Sequence, residues 1–237
     1  MPETSRIGMN FRTNRKSPDR LVTVPAVIVG LTAEARIARS IGWPVVAGGG
    51  TAAGAQAVAR RLIEQGATAL VSFGLAGGLD PALRPGTLIV PTAVHTGGRD
   101  IPADPALSAQ LGGATPHRLL GAAAIAASSA DKQRLWESTG AAAIDLESGA
   151  VAEVAAQHGV PFAVQRAICD PADRDLPPAA LAALDRKGAI GMMRVLTSLL
   201  AHPMQLSALL ALAADAARAR RALVGRVAEM RSDLVTA

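Results

Sequence analysis

Two acidic segments that follow apolar runs are the first candidates for chemistry. Residues 145–147, Asp-Leu-Glu, close one apolar run, and Asp170 closes the next. A carboxylate at the carboxyl end of a buried strand either caps a turn or helix or lines a pocket, and two in succession favour a shared polar pocket. Arg166 lies between them in the sequence, so the same pocket would hold a cation able to bind an anion.

Two glycine-rich segments could bring bare backbone close to a ligand. Residues 48–51 lie between a predicted strand and a predicted helix, where free N–H groups and the helix dipole favour an anion. Residues 74–78 follow a predicted buried strand, at the place where ligands collect in open α/β sheets. Neither segment has the spacing of a Walker A loop or of a dinucleotide-binding fingerprint. Taken singly, each is equally consistent with a tight turn.

In their order along the chain, these segments resemble the purine nucleoside phosphorylase family, including its methylthioadenosine/S-adenosylhomocysteine nucleosidase branch. The resemblance rests on residues 72–79, 85–87, 144–150 and 160–170. Residues 169–178 and the Ala/Arg/Leu-rich C-terminal helix further resemble the hopanoid-biosynthesis phosphorylases. The resemblance implies an α/β fold, a three-layer αβα sandwich around a twisted mixed sheet. It also implies cleavage of a purine N-glycosidic bond in an adenosyl substrate, with release of adenine.

The resemblance also implies roles for individual residues. Asp170 matches the family acid that protonates or hydrogen-bonds purine N7, and partial burial would raise its pKa for that task. Glu147, with Leu146 beside it, matches the residue that holds the ribose 2′- and 3′-hydroxyls and favours positive charge at C1′. In the family, certain segments run beside the purine, and the positions that match them in this sequence are Ala76, Gly77, Gly78 and Ile168.

The nucleophile is left open between phosphate and water. In hydrolytic relatives a glutamate lies five residues after the glycine that ends the first strand; counted from Gly30, that position is Ala35, and the nearest acid is Glu34. A shift of one helical residue rotates a side chain by ~100°, so Glu34 is either a displaced catalytic base or an exposed helix residue. Leu75 stands where the family has a small polar residue. Both departures favour phosphate, bound by Gly30, Gly50, Thr51 and Arg166.

Three functions are compatible with these residues. The first is phosphorolytic release of adenine from an adenosyl substrate, for which the resemblance implies adenosylhopane of hopanoid biosynthesis. The second is hydrolysis of methylthioadenosine or S-adenosylhomocysteine with Glu34 as the base, and the third is a catalytically silent nucleotide-binding module. No residues have metal-ligand spacing, so we expect no metal and no cofactor, with phosphate as a co-substrate.

The elements that must position these residues follow from the alternation of apolar runs with Ala-rich helical stretches. This alternation is typical of an α/β domain with a largely parallel sheet. Strands are predicted over residues 21–29, 45–47, 69–73, 87–90, 119–127, 142–146 and 162–168. Helices are predicted over residues 33–41, 52–65, 131–138, 148–158, 179–201 and 203–230. Residues 91–105 are predicted to form a loop.

Composition limits the remaining possibilities. Half of the 237 residues are hydrophobic and only 2% are aromatic, so we expect one core built from Ala, Val, Leu and Ile. Residues 1–20 carry five basic and two acidic groups, and residues 215–237 five and three, whereas the body between them is neutral with fourteen of each. A neutral body with few aromatic side chains argues against nucleic-acid binding. We expect a disordered basic leader over residues 1–20, a nucleoside phosphorylase-like domain over residues 21–201, and an amphipathic basic helix packed on it over residues 202–237.

Localisation is predicted from cysteine usage and apolar runs. The lone Cys169 cannot form an internal disulfide, which favours the cytoplasm, and no apolar run reaches the ~20 residues of a membrane span. The basic C-terminal helix is either an ordinary surface helix or a peripheral contact with the inner membrane surface. The family resemblance implies a homo-oligomer.

Overall fold

The computed structural model describes residues 25–178, 180 and 205–236, the last four without their side chains. The leader predicted over residues 1–20 and nearly all of the helix predicted over residues 179–201 lie outside this part of the chain.

Nine strands of the described residues form one mixed sheet. The strands are β1 (Pro25–Val29), β2 (Val45–Ala47), β3 (Ala69–Gly78), β4 (Leu88–Ile89), β5 (Pro91–Thr96), β6 (Arg99–Pro102), β7 (Thr115–Gly121), β8 (Ala143–Asp145) and β9 (Phe162–Asp170). Their order is β2-β1-β3-β8-β7-β5-β6, and β9 pairs with both β3 and β4. The pairs β3/β8, β4/β9 and β5/β6 are antiparallel, and the others are parallel.

Six α-helices of the described chain cover the sheet. They are α1 (Thr32–Ala38), α2 (Ala52–Glu64), α3 (Pro105–Gln110), α4 (Ser129–Thr139), α5 (Ser148–His158) and α6 (Leu206–Thr236), and a 3-10 turn (Arg39–Ile41) follows α1. Side-chain caps fix three of the starts: Thr51, Asp104 and Ser128 accept from the backbone N–H groups of Gly54, Leu107 and Asp131. None of the described helices is long and apolar enough to cross a membrane.

The alternation of side chains along the strands builds a large core on each face of the sheet. A third, smaller cluster contains Leu79, Leu120, Ala126, Ala141 and Ile144. In β1, Ala26 and Ile28 pack on the face that α2 and α5 cover, whereas Val27 and Val29 pack on the face that α1, α3 and α6 cover. The molecule is therefore a three-layer αβα sandwich with a mixed sheet, and the predicted fold class is confirmed.

Three predicted elements were wrong. Residues 91–105 were predicted to form a loop, but they contain β5, β6 and the start of α3. Gly97 and Gly98 both have positive φ and join β5 to β6, which is the two-residue hairpin turn that glycine favours. The strand predicted over residues 119–127 instead spans Thr115–Gly121, and the predicted turn at residues 74–78 continues strand β3.

The C-terminal helix buries a different face from the one its sequence indicated. The helical spacing of the sequence predicts one apolar face made of Leu206, Leu210, Ala213, Ala217, Val224 and Val227. In the structure Leu206, Leu210 and Val224 are each more than half exposed. The buried stripe lies one position away, and its apolar members are Ala219, Leu223, Val227 and Met230. Both stripes have helical spacing, so packing on the sheet decided between them.

Candidate active site

The ends of four strands bring the candidate residues to one region of the sheet. Gly77 of β3 pairs with Ile144 of β8 on one side and with Asp170 of β9 on the other. On the same edge of β3 as β8, but earlier along the strand, the last residue of β1 pairs with Phe73, so Gly30 follows beside Gly74. The segment after β8 carries Leu146, which is half-buried, and Glu147, which is buried.

Glu147 packs directly on the backbone of Gly30. A Cβ added to Gly30 would lie only 2.2 Å from Glu147 Oε1. No side chain fits at that position, so glycine here is required by close approach. The structure thus brings Gly30 to the proposed ribose-binding carboxylate.

Arg166 is the centre of a buried polar network on β9. It is fully buried, and its Nη2 donates to Ser72 Oγ at 2.7 Å and to Ser148 Oγ at 3.1 Å. It also pairs with Asp145 and lies 3.4 Å from Glu147 Oε2. Its Nε and Nη1 are buried and have no hydrogen-bond partner. A guanidinium with two unpartnered nitrogens in a buried site can receive an anionic or polar ligand.

Asp145 connects this network to helix α5. Its Oδ1 accepts from the backbone N–H groups of Glu147 at 3.3 Å and Ser148 at 3.0 Å, and its Oδ2 accepts from Ser148 Oγ at 2.5 Å. The carboxylate therefore acts as a turn cap and as the ion-pair partner of Arg166. Of the two interpretations of an acid at a strand end, that of a turn cap applies to Asp145.

Burial raises the pKa of Glu147 to about 7, because the charged form is desolvated. The charge of Arg166 opposes this shift, and the negative charges of Asp145 and Glu34 reinforce it. Near neutral pH this carboxyl group therefore exists in both protonation states.

Glu34 is only 4% exposed, so its interpretation as an exposed helix residue was wrong. Its Oε2 accepts from the backbone N–H of Leu31 and its Oε1 from that of Leu75, both at 2.8 Å. A Cβ added to Gly74 would lie 2.4 Å from Glu34 Oε1 and 2.5 Å from Arg166 Nη1. Glu34 and Arg166 thus meet at the backbone of Gly74, although the acid is one residue earlier than in hydrolytic relatives.

Asp170 forms a second buried cluster at the end of β9. Its Oδ2 lies 2.6 Å from Lys132 Nζ, and its Oδ1 has no hydrogen-bond partner. Burial raises the pKa of Asp170, and the hydrogen bond and charge of Lys132 oppose that rise. Burial raises the pKa of the Cys169 thiol, and the negative charges of Asp170 and Glu34 add to that rise.

A bulge at the end of β9 decides which way Asp170 points. Ala76 pairs with Ile168, but the next residue, Gly77, pairs with Asp170, so Cys169 is an extra residue. Since strand side chains alternate, this slip changes the side that Asp170 occupies. An added Cβ at Gly77 would lie 3.7 Å from Asp170 Oδ2, whereas one at Gly78 would lie 3.3 Å from the Ile168 side chain.

The bulge divides the predicted purine-binding residues into two groups. Gly77 lies beside the Asp170 carboxylate. Gly78 and Ile168 face each other on the other side, and Ile168 and Ala76 belong to the core under α2 and α5.

The remaining phosphate candidates lie at the start of α2. Thr51 Oγ1 accepts from the backbone N–H of Gly54 at 3.1 Å, and Gly50 has a φ of 73°. Strand β2, which precedes this turn, is the parallel neighbour of β1, so the turn lies at the same edge of the sheet as Gly30. The hydroxyl of Thr51 acts as a helix cap in this structure.

Sequence reasoning assigned no role to three buried polar residues of these clusters, Ser72, Ser148 and Lys132. The two serines have no distinctive signal of their own. Lys132 has one, because only three of the 24 basic residues are lysines. Lysine carries a compact, strongly hydrated point charge that arginine does not, so its use in an arginine-dominated chain distinguishes this position.

A three-layer sandwich that gathers carboxylates and a buried arginine at its strand ends has the nucleoside phosphorylase and nucleosidase fold. The family model of the phosphorylase superfamily matches residues 42–201. The chain therefore belongs to the phosphorylase superfamily. No curated protein sequence matches it.

Solved structures show the same fold at low identity. A futalosine hydrolase of Helicobacter pylori strain 26695 is 17% identical with a TM-score of 0.58, over 74% of this chain and 96% of that chain. An S-adenosylhomocysteine nucleosidase of Streptococcus pyogenes is 16% identical with a TM-score of 0.59, over 77% and 96%. The 5′-methylthioadenosine/S-adenosylhomocysteine nucleosidase of Helicobacter pylori with butyl-thio-DADMe-Immucillin-A is 18% identical with a TM-score of 0.60, over 86% and 97%.

Proposed function

We propose that the protein cleaves the N-glycosidic bond between adenine and ribose in an adenosyl substrate. The observation that carries this proposal is the pair of buried carboxyl groups, Glu147 and Asp170, at neighbouring strand ends of a phosphorylase-superfamily fold. Burial raises the pKa of both, and carboxyl groups with perturbed pKa values cluster at active sites. Neighbouring structures include nucleosidases bound to adenosine-like inhibitors.

The two carboxyl groups act at opposite ends of the breaking bond. Asp170 uses its free oxygen, Oδ1, to protonate or hydrogen-bond purine N7, so that the base departs without a full negative charge. Glu147 binds the ribose 2′- and 3′-hydroxyls, and its ionised form stabilises the positive charge that develops at C1′. Arg166 and Asp145 hold Glu147 in place through the network described above.

We propose phosphate as the nucleophile. The support is the pair of unpartnered nitrogens, Nε and Nη1, on the buried Arg166, which could bind phosphate oxygens. The turn at Gly50 and Thr51 could add backbone N–H groups at the same edge. An oxygen of phosphate would attack C1′ as adenine leaves, giving free adenine and the 1-phosphate of the 5′-substituted ribose.

Hydrolysis is the second candidate, and the position of Glu34 favours it. Glu34 lies beside Arg166 Nη1 at Gly74, where a base could take a proton from an attacking water molecule. Three carboxyl groups, those of Glu34, Asp145 and Glu147, surround the single guanidinium. The negative charges of these carboxyl groups disfavour binding of a phosphate dianion, whereas they do not repel neutral water.

The deciding experiment incubates the protein with adenosylhopane and with methylthioadenosine, each with and without phosphate, and identifies the products by mass. Adenine together with a pentose 1-phosphate, only when phosphate is present, is the expected result. Adenine release without phosphate would support the hydrolytic alternative, which also requires loss of turnover in Glu34→Gln. Adenine binding without release from any adenosyl compound would support a silent binding module instead.

We further propose that the substrate is lipid-linked and that helix α6 contacts the inner membrane surface. Leu206 and Leu210 are exposed near its start, and Arg220 and Arg221 are exposed further along. Exposed apolar and basic groups on one helix suit an anionic lipid surface.

Because α6 also contributes to the core, the double substitution Leu206→Ser/Leu210→Ser is a cleaner test of membrane contact than deletion of the helix. We expect the double variant to lose sedimentation with anionic vesicles and activity on adenosylhopane, but to keep activity on methylthioadenosine. Unchanged sedimentation would contradict the membrane proposal.

The family resemblance also supports a homo-oligomer, and the lone Cys169 supports a cytoplasmic protein. Light scattering of the purified protein would test the oligomeric part of this proposal, and a monomer at assay concentration would contradict it.

A further inference from the structure

Lys132 of α4 is a buried lysine that no step above uses. Its side chain is only 1% exposed. A buried ammonium is costly unless its charge is paired and its three N–H donors all have partners. Lys132 Nζ lies 2.6 Å from Asp170 Oδ2, 2.9 Å from the carbonyl oxygen of Pro171 and 2.7 Å from that of Arg174. Every donor of this ammonium is therefore directed at Asp170 or at the segment that follows it.

This arrangement makes the two oxygens of Asp170 unequal. Oδ2 is held by the ammonium, whereas Oδ1 is buried and has no partner. A carboxylate held at one oxygen cannot rotate freely, so Oδ1 is the atom available to a ligand. The bulge at Cys169 sets the side that Asp170 occupies, and Lys132 sets the rotation of its carboxylate.

The same helix end also holds the segment after Asp170. Ser129 donates to Asp175 Oδ1 from its backbone N–H at 2.7 Å and from its hydroxyl at 2.8 Å. The backbone N–H of Leu176 donates to the carbonyl oxygen of Ala127 at 2.8 Å. With the two carbonyl contacts of Lys132, these bonds tie residues 170–176 to the start of α4.

We propose that Lys132 is a positioning residue for Asp170, which fixes Oδ2 so that Oδ1 is presented to N7 of the departing purine. This inference rests on the proposed function, because it gives Asp170 the role of the acid at the base. Lys132 itself touches neither substrate nor reacting atoms. Its effect on the reaction passes entirely through Asp170.

A double-mutant cycle with Lys132→Met and Asp170→Asn separates this role from a purely structural one. We expect each single variant to lower kcat by about a hundredfold or more, since Asp170→Asn removes the proposed acid and Lys132→Met removes the group that positions it. If Lys132 acts through Asp170, the double variant loses no more kcat than Asp170→Asn alone. Losses that multiply in the double variant would overturn the proposal.

The pH profile of kcat/KM gives a second readout that a structural role would not move. The charged groups that act on Asp170 are Lys132 of α4, Arg174 of the following segment and Asp215 of α6. Lys132 lowers the pKa of Asp170, so its removal should move the Asp170 limb of the profile to higher pH. That limb is identified by its absence in Asp170→Asn. An unmoved limb in Lys132→Met would contradict the proposal.

Arg134→Met is the matched control on the same helix. Arg134 is 71% exposed and pairs with Asp131, so the substitution removes an equal charge from the solvent side of α4. We expect kcat and the pH profile to be unchanged. If Lys132→Met does not fold, Lys132→Gln replaces it in the cycle, because the amide keeps a donor for the backbone carbonyls.

The wild-type protein distinguishes failure of this inference from failure of the proposed function. If the wild type releases adenine but the losses of kcat multiply in the double variant, only the role of Lys132 is overturned. No release by the wild type overturns the proposed function, and calorimetry of adenine binding to the four proteins of the cycle then tests the pairing directly. Effects of the two substitutions on the adenine Kd that multiply in the double variant would overturn the inference as well, and so would the absence of adenine binding.

Discussion

At the scale of single residues, the site depends on two carboxyl groups whose pKa values are raised mainly by burial. Glu147 is surrounded by Arg166, Asp145 and Glu34, and desolvation outweighs the attraction of the guanidinium, so its pKa rises to about 7. Asp170 follows the same rule with one ammonium as partner. Two acids with distinct partners can take distinct roles in one reaction.

Glu147 should make turnover depend on pH. The ionised carboxylate stabilises positive charge at C1′, so we expect kcat/KM, which reports the pKa values of the unliganded enzyme, to rise with pH and to level off above about 7. Glu147→Gln should lower kcat by about a hundredfold or more and abolish this limb. Phosphate ionises in both assays, so only a limb that disappears in the variant belongs to Glu147. A limb that survives unchanged would assign it to another group.

Glu147 should also make stability depend on pH. Its pKa is about 7 in the folded protein and 4.5 ordinarily, so the folded state binds the proton more tightly. Stability is then greatest below pH 4.5 with respect to this group and is lost as the pH rises through 7, by up to about 3 kcal/mol. Urea unfolding of wild type and Glu147→Gln between pH 5 and 8 measures this dependence. Equal slopes of the free energy of unfolding against pH in the two proteins would contradict it.

Gly30 and Gly225 offer a matched pair of glycine substitutions. Gly30→Ala would place a methyl group 2.2 Å from Glu147 Oε1, which must displace the carboxylate, and we expect at least a tenfold loss of kcat/KM. A Cβ at Gly225, on the exposed side of α6, meets nothing within 4 Å, so Gly225→Ala should keep activity and gain about 0.5–1 kcal/mol of stability. Equal activity of the two variants in an adenine-release assay would contradict the close approach seen at Gly30.

At the scale of elements, side-chain periodicity identified most of the strands and helices, but packing chose their faces. The clearest case is α6, where two stripes of apolar side chains compete and the sheet accepts only one. The bulge in β9 is another case, because one extra residue changes the side occupied by Asp170. Neither outcome depends on the local sequence alone.

Leu223 and Val224 are neighbours on α6 that test the buried face. Leu223 is fully buried and Val224 is 52% exposed. Leu223→Ala should lower the free energy of unfolding by about 2–5 kcal/mol through the cavity it leaves, whereas Val224→Ala should change it by less than about 0.5 kcal/mol. Thermal or urea unfolding of the two variants provides the measurement, and the reverse order of effects would restore the face first indicated by the sequence.

At the scale of the whole molecule, the C-terminal helix α6 completes the core on the face of the sheet that α1 and α3 also cover. Ala219, Leu223, Val227 and Met230 pack against residues of β1, β3 and β9 on one face of the sheet. Asp215 of the same helix is buried and pairs with Arg174 and Arg218. The helix is thus joined both to the core and to the segment that follows the proposed acid.

Removal of residues 206–236 should therefore unfold the domain rather than trim it. We expect the truncated chain to bind a hydrophobic dye and to lose cooperative unfolding, since one face of the sheet would be exposed. Circular dichroism during heating, compared with the full chain, provides the test. A cooperative transition at an unchanged temperature would contradict this dependence.

The sequence by itself determined the fold class, the family resemblance, most strands and helices, and the acids and arginine of the candidate site. These features are local or ordered along the chain: apolar periodicity, glycines at strand ends, and short motifs in a fixed succession. Only the tertiary structure decided that Glu34 is buried beside Arg166, that α6 turns Leu223 and not Val224 inward, and that Lys132 holds Asp170. Each of these depends on contact between residues far apart in the sequence, where burial and pairing of charge, rather than spacing, fix the outcome.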